Sequence, residues 1–305
     1  MLSAPIQLSE VRRLFSTPAR VRDSLFLRQE VAQRMAEKLD LIRIDAKRVV
    51  DAGCGEGADL LRLSERFPQA QQVLGIDASW QALHRSEIAS VSAGSVLRGL
   101  FSRFLPDQSK HARDAKLAVT CGDFAKLPLA ANMVDVLWSN LALHWHPQPD
   151  QVLQEWFRVL ARNGIVIFSS FGPDTLLELR QAFAQIDDDS HTLPFVDMHD
   201  FGDMLVAAGF ATPVMDVERI TLRYQDVQRL LADVRALGGN PLSNRRRGLL
   251  GKSAFAYLKT ELEKKRGEDG RIPLTIEVVF GHAFKPVPTK LASGESIIQF
   301  DAMKK

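Results

Sequence analysis

The segment Arg48-Val49-Val50-Asp51-Ala52-Gly53-Cys54-Gly55-Glu56-Gly57 constrains the fold more than any other. Val49 and Val50 favour extended backbone, and Asp51 leads that strand into glycines at every second position. Glycines there let the chain turn sharply and let a ligand approach the main chain closely. The helix expected from Asp59 to Phe67 would point its first amide groups at that ligand. A tight strand-to-helix turn without a ligand has the same composition, and dinucleotides use similar loops. The loop alone therefore implies only a nucleotide-like ligand.

The pattern repeats along the chain. Val73–Asp77 reads as a second buried strand, with a helix expected over Trp80–Ser90. Leu117–Val119 is a third strand and Val134–Trp138 a fourth. A helix over Pro149–Ala161 leads through Gly164 into a fifth strand, Ile165–Ser169. Strands alternating with helices at this pace predict an α/β, doubly wound parallel sheet. Residues 8–40 precede it, with helical apolar spacing broken by Pro18, so two short helices are expected. The second half carries helices at Asp174–Ala184 and at Asp200–Ala208, the latter ended by Gly209. Strands are expected at Thr212–Tyr224 and Leu274–Phe284, separated by a basic helical stretch over 226–270 that contains Arg245-Arg246-Arg247. Residues 91–115 read as a basic insertion with Arg98 and Arg103. The expected organisation is a helical lid over 1–45 and one sheet domain over 46–305, with insertions at 91–115 and 226–270.

Composition limits the function classes. Lysine and arginine number 39 against 37 aspartate and glutamate, a balance that argues against bulk nucleic-acid binding. Two cysteines, Cys54 and Cys121, form neither a disulfide framework nor a metal-spacing pair, and no metal site is expected. The N-terminus lacks the apolar core of a signal peptide. No apolar run reaches the ~18 residues of a membrane span. A soluble cytoplasmic protein in a reducing compartment is expected, and nothing in the chain indicates its oligomeric state.

The chemistry-bearing residues fall at the carboxyl ends of successive strands, where open α/β sheets bind ligands. Asp77 could accept both hydroxyls of a ribose, although alone it would read as a helix cap. Gly122-Asp123-Phe124 follows the third strand: Asp123 could accept from an adenine amino group and Phe124 could pack beside the ring. Ser139-Asn140-Leu141-Ala142-Leu143-His144-Trp145 follows the fourth, with Asn140 a candidate cofactor contact. A nicotinamide site would favour Gly-x-Gly-x-x-Gly. The spacing of Asp51, Gly53, Gly55 and Gly57, joined to Asp77 and Asp123, instead resembles the class I S-adenosylmethionine-dependent methyltransferases over about residues 46–170. That resemblance implies a Rossmann-like fold, S-adenosylmethionine as cofactor, Asp51 and Gly53 near its methionine, Asp77 on its ribose and Asp123 near its adenine.

Longer stretches resemble one family among these. Asn140–Trp145, Phe171–Arg180, Pro194–Asp200, Leu237–Asn240 and Leu274–Ala283 are similar to the malonyl-acyl-carrier-protein O-methyltransferases of biotin synthesis. This family often carries a Tyr-Asp pair in its N-terminal helix. Here the chain departs, with Ala19-Arg20-Val21-Arg22-Asp23. Phe26–Ala32 and Glu268-Asp269-Gly270 also resemble a neighbouring family of the same fold, the complex I assembly factors that hydroxylate a protein arginine. A non-catalytic module that keeps the ligand pocket is a further alternative.

Under the first resemblance the acceptor is the carboxylate of malonyl-acyl-carrier protein, ionised at neutral pH. The reaction then needs desolvation and alignment rather than a base. An arginine would hold the carboxylate bidentately. Arg180, on the helix after the fifth strand, is the candidate. His144 and Trp145 are expected to line the acceptor pocket. Arg245–Arg247, or the insertion around Arg98 and Arg103, could dock an acidic carrier protein.

Overall fold

Apolar residues dominate the sheet's middle strands on alternate and adjacent positions alike because both faces of those strands are covered. In β4 (Val134–Ser139), Trp138 turns toward one core and Leu137 toward the other. β1 (Arg48–Ala52) does the same with Val49 and Val50. This follows from the two-residue period of a strand. A computed structural model describes residues 4–17, 22–86, 116–245, 248 and 250–287.

The other strands are β2 (Gln72–Asp77), β3 (Leu117–Cys121), β5 (Leu160–Phe171), β6 (Ala211–Tyr224) and β7 (Ile272–Phe284). They form one seven-stranded sheet in the order β3-β2-β1-β4-β5-β7-β6. β1 to β5 are parallel, and β7 enters antiparallel between β5 and β6. The order reverses beside β1, so the carboxyl ends of β1 and β4 diverge and leave a crevice.

Helices cover both faces. On one lie α2 (Leu25–Asp40), α3 (Leu60–Arg66), α6 (Leu177–Phe183), α8 (Val227–Ala236) and α9 (Lys252–Glu263). On the other lie α5 (Pro149–Val159) and α7 (Met198–Ala208), sealed by Trp156, Phe168 and Phe201. α1 (Leu8–Phe15) and α4 (Trp80–His84) complete the described helices. α2 buries Leu27, Val31, Met35 and Leu39 in the sheet's own core. α8 and α9 occupy the stretch between β6 and β7 where helices were expected.

Several boundaries differ from the sequence reading. α5 stops at Val159, and β5 begins at Leu160 rather than Ile165. The reason is a bulge: Val134 pairs with Leu160 and Val136 with Ile165, with Asn163 in the left-handed region at φ 61°. α6 starts at Leu177 instead of Asp174, because Leu176 is itself left-handed at φ 60°. α4 ends at His84, short of Ser90. The insertion at 91–115, Pro18, Arg246 and Arg247 lie outside the described residues. Among the described residues no helix is long and apolar enough to cross a membrane.

Candidate cofactor site

A cavity of about 430 Å³ opens at the carboxyl ends of β1, β2 and β4. Its walls are the glycine loop, Asp77–Ser79, Phe124, Asn140–Ala142, Trp145, and residues of α1 and early α2.

The loop is built as the sequence implies, but its glycines serve different ends. Gly53, at φ 85°, donates its N–H to the Ile76 carbonyl over 2.7 Å. A Cβ there would sit 2.4 Å from that of Ala142, so Gly53 permits the loop to pack on the end of β4. Gly55, at φ 56°, has no atom within 4 Å of the place its Cβ would occupy, which leaves its main chain open to a ligand. Gly57 also lies in the left-handed region, at φ 81°.

Asp77 accepts the N–H groups of Gly55 over 2.9 Å and Ser79 over 2.7 Å, one on each oxygen. Each oxygen keeps a lone pair for a ligand hydroxyl. The helix cap is Ser79, whose hydroxyl accepts from the Ala82 N–H, so Asp77 orders the turn ahead of the cap. Asp51 is 2% exposed, and among the described residues its carboxylate receives no hydrogen bond. Burial, together with the charges of Asp59 and Asp77, pushes its pKa well above the usual carboxylate range. Asp59 also lines the cavity and accepts from Trp138 Nε1 and Asn140 Nδ2, each over 3.1 Å. Burial raises its pKa, opposed by these two bonds.

Arg28 lies among these carboxylates. Burial lowers its pKa to about 10, against the attraction of Asp77 and Glu56. The sequence reading did not select it, although a signal exists. Arg28 continues at helical spacing the buried stripe Val31, Ala32 and Met35, so a cation stands on an apolar face. Arg12 and Phe15 of α1 also line the cavity; Arg12, with Arg13, supports the expectation that this segment closes over the cofactor, whereas Phe15 was not singled out.

Phe124 is on the cavity wall, tilted against His146 and Trp156. Asp123 is not part of the wall formed by the described residues; its Oδ1 accepts from the Ala125 N–H over 2.9 Å and holds its own turn. Asn140 is on the wall but is heavily engaged. It donates to Asp59 and to the Arg28 carbonyl, and accepts from Ser169 Oγ. Those bonds fix α2 and α3 relative to β4 and β5.

The two candidate catalytic residues lie elsewhere. Arg180 donates to the carbonyls of Pro173 and Thr175. Its guanidinium thus braces the turn after β5 and is not on the cofactor cavity wall. His144 is 7% exposed and sits behind the wall, with its Nδ1 accepting from the Phe171 N–H over 3.3 Å. Burial, aided by the charge of Arg28, lowers its pKa to about 3, so the ring is neutral. Its neighbour Trp145 does line the cavity. Among the described residues no group of three or more His, Cys, Asp or Glu is placed to hold a metal.

Comparison with known proteins bears on the family and the fold. Residues 50–168 match the methyltransferase domain family model, the region that spans β1 to β5. The crystal structure of the YcgJ protein from Bacillus subtilis superposes with a TM-score of 0.54 at 15% identity, covering 83% of this chain and 98% of that one. Such a likeness speaks for the fold alone. The malonyl-acyl-carrier-protein O-methyltransferase of Laribacter hongkongensis is 44% identical over 96% of this chain and 95% of its own length. That of Gallionella capsiferriformans is 43% identical, covering 96% of each. Similarity of this extent takes in α8, α9 and β7 as well as the cofactor half, and it makes the chain a class I methyltransferase of the malonyl-acyl-carrier-protein O-methyltransferase family.

Proposed function

We propose that the protein transfers the methyl group of S-adenosylmethionine to the free carboxylate of a malonyl thioester carried on an acyl carrier protein, the step in biotin synthesis that the sequence resemblance implies. One observation carries the cofactor assignment. Asp51 is a buried carboxylate with no hydrogen-bond donor among the described residues, beside a glycine loop open at Gly55. A buried unpaired carboxylate is costly, and an ammonium group removes the cost. The charges of Asp59 and Asp77 fall on Asp51, so this end of the cavity favours the cationic end of a ligand, while Arg12, Arg22, Arg28 and Arg85 elsewhere on the wall suit its anionic groups.

When bound, the cofactor supplies an electrophilic methyl group on a positively charged sulfur. The chain binds and orients. Asp51 takes the methionine ammonium, Arg28 its carboxylate, and Asp77 the ribose hydroxyls. Phe124 packs beside the base. Arg12, on the cavity wall and in no salt bridge among the described residues, orients the acceptor carboxylate. That carboxylate is already ionised at neutral pH, so no group of the protein removes a proton. A neutral, buried His144 suits this chemistry, because it does not act as a base. α1 and the start of α2 serve as the lid: α1 lies over the cavity, whereas most of α2 is part of the core.

Purified protein, labelled S-adenosylmethionine and malonyl-acyl-carrier protein test the proposal. Label should appear in the carrier protein as a base-labile ester. Tight cofactor binding without transfer to the malonyl thioester would reject the acceptor assignment.

A further inference from the structure

A second cavity of about 330 Å³ lies next to the first. Its walls come from the end of β5 and α6 below, from 191–195, and from α8 and α9 above. Phe171, Leu179, Phe195, Leu231, Leu237 and Phe255 make it mainly apolar. Its volume is in the range of small-molecule sites, and nothing in the cofactor assignment uses it.

Trp145 lines both cavities, so its side chain stands between them. It packs edge-on against Phe15 of α1, with ring centroids 5.2 Å apart. Gly238, at φ 126°, abuts the same pair of rings, and a Cβ there would lie 2.5 Å from the indole and 3.6 Å from Phe15. The chain thus gives up a side chain to seat this one ring. Behind it His144 packs against Trp145, Phe171 and Phe195, all of which line the second cavity. His144 Nε2 is buried and has no hydrogen-bond partner among the described residues. Since Nδ1 accepts from Phe171, Nε2 carries the proton. A donor without an acceptor therefore stands one ring away from an apolar chamber.

The polar lining is sparse: Thr175, His191, Thr192, Arg235 and Asn240, of which Thr175 spends its hydroxyl on the Glu277 carbonyl. Arg235 is exposed and makes no salt bridge among the described residues. It marks the mouth, at the surface end of α8. An apolar passage with a cation at its entrance and a donor near its inner end suits a long uncharged chain with a phosphate at one end and carbonyls along it. It does not suit a free dicarboxylate, which would leave charge buried unpaired.

We propose that this cavity receives the phosphopantetheine arm of the acyl carrier protein, with the arm's phosphate at Arg235 and its acyl thioester delivered past Trp145 to the cofactor. The inference rests on the carrier-protein reading of the function and adds its route. The acidic carrier protein then docks over α8 and the residues that follow it, where Arg245 is also partly exposed.

The test compares wild type with Val234→Trp, which fills the passage, and Arg235→Glu, an exposed change at its mouth. Two acceptors are used: malonyl-acyl-carrier protein and malonyl-N-acetylcysteamine, which lacks most of the arm. Cofactor affinity, measured by calorimetry, should stay at the wild-type value in both variants and confirms that they fold. Val234→Trp should raise KM for the carrier-bound acceptor by about tenfold or more, the factor equivalent to ~1.4 kcal/mol of lost contacts. It should change the short thioester much less. Arg235→Glu should raise the same KM at low salt, and the effect should shrink as salt screens it. Wild-type turnover on carrier-bound substrate with KM unchanged in both variants would overturn the arm's route alone. No wild-type turnover on that substrate would overturn the function and the route together. An equal rise for both acceptors would overturn the route in favour of a pocket for the malonyl group itself.

Discussion

Arg28→Met separates two consequences of a buried cation. In the cofactor-free protein, burial lowers the Arg28 pKa from 12.5 to about 10. The group is charged at neutral pH in both the folded and unfolded chain, so the shift corresponds to at most roughly 3 kcal/mol against folding. Its removal relieves that cost, and the shift is already net of the attraction of Asp77 and Glu56, so no further loss of counter-charge is subtracted. The melting temperature without cofactor should therefore stay within a few °C of wild type, or rise. Cofactor affinity should behave differently. If Arg28 holds the methionine carboxylate, its loss removes a charge-assisted interaction of ~1.5–3 kcal/mol, or about 10–150-fold in Kd. Arg28→Lys keeps the charge but loses the planar fork, and should fall between. Calorimetric titration with S-adenosylmethionine and thermal melts of the same samples read both quantities. An affinity within about twofold of wild type would refute the binding role, and a fall in melting temperature of more than ~5 °C would refute the account of burial.

Three further outcomes follow from the same geometry. Asp51 has its pKa raised by burial, so between its unfolded value and that raised value the folded protein binds more protons than the unfolded one. Cofactor-free stability should thus fall as pH rises through that window. Asp51→Asn should flatten the profile and weaken cofactor binding, and a slope retained by Asp51→Asn in thermal melts would assign the window to another group. Gly53→Ala should destabilise, since its Cβ meets Ala142 at 2.4 Å. Gly55→Ala should cost only the ~1–2 kcal/mol of a left-handed alanine yet lose cofactor affinity, and equal melting temperatures for the two would contradict this distinction. Arg180→Ala removes two bonds to main-chain carbonyls and should cost ~1–3 kcal/mol of stability with the cofactor Kd unchanged, whereas a change in that Kd would restore it to the site.

The parts of the protein legible in its sequence are those carried by contiguous chain. The order of elements follows from local pattern, as do the glycine loop, Asp77 and Phe124, because a strand end and the turn after it are neighbours in sequence and in space. Boundaries went wrong where a few residues take left-handed backbone without being glycine. Asn163 lets β5 start early, and Leu176 delays α6. Asparagine visits that conformation more readily than most residues, but leucine does not announce it. Leu176 accepts it because its N–H is bonded to the Thr275 carbonyl of β7, a contact about a hundred residues away.

The same distinction explains why Arg180 looked like a ligand contact and Arg28 did not. Position along the chain places Arg180 on the helix after β5, near the active edge, but which way a guanidinium turns depends on what competes for it. The turn at Pro173–Thr175 presents two carbonyls within its reach, and they take it. Arg28 precedes β1 by 20 residues and reaches the cavity only because α2 packs its Leu27–Leu39 stripe under the sheet. That packing aims the helix's first turn at the crevice. The stripe itself was visible as an apolar period. What singles out Arg28 is that it interrupts the stripe at the end nearest the glycine loop, and a cation is tolerated on such a face only where carboxylates meet it. Asp77 and Glu56 supply them. A charge that breaks an apolar helical period, in a chain whose glycine loop already implies a ligand, is therefore a stronger pointer to a ligand contact than a charge on a helix that merely follows a strand's carboxyl end.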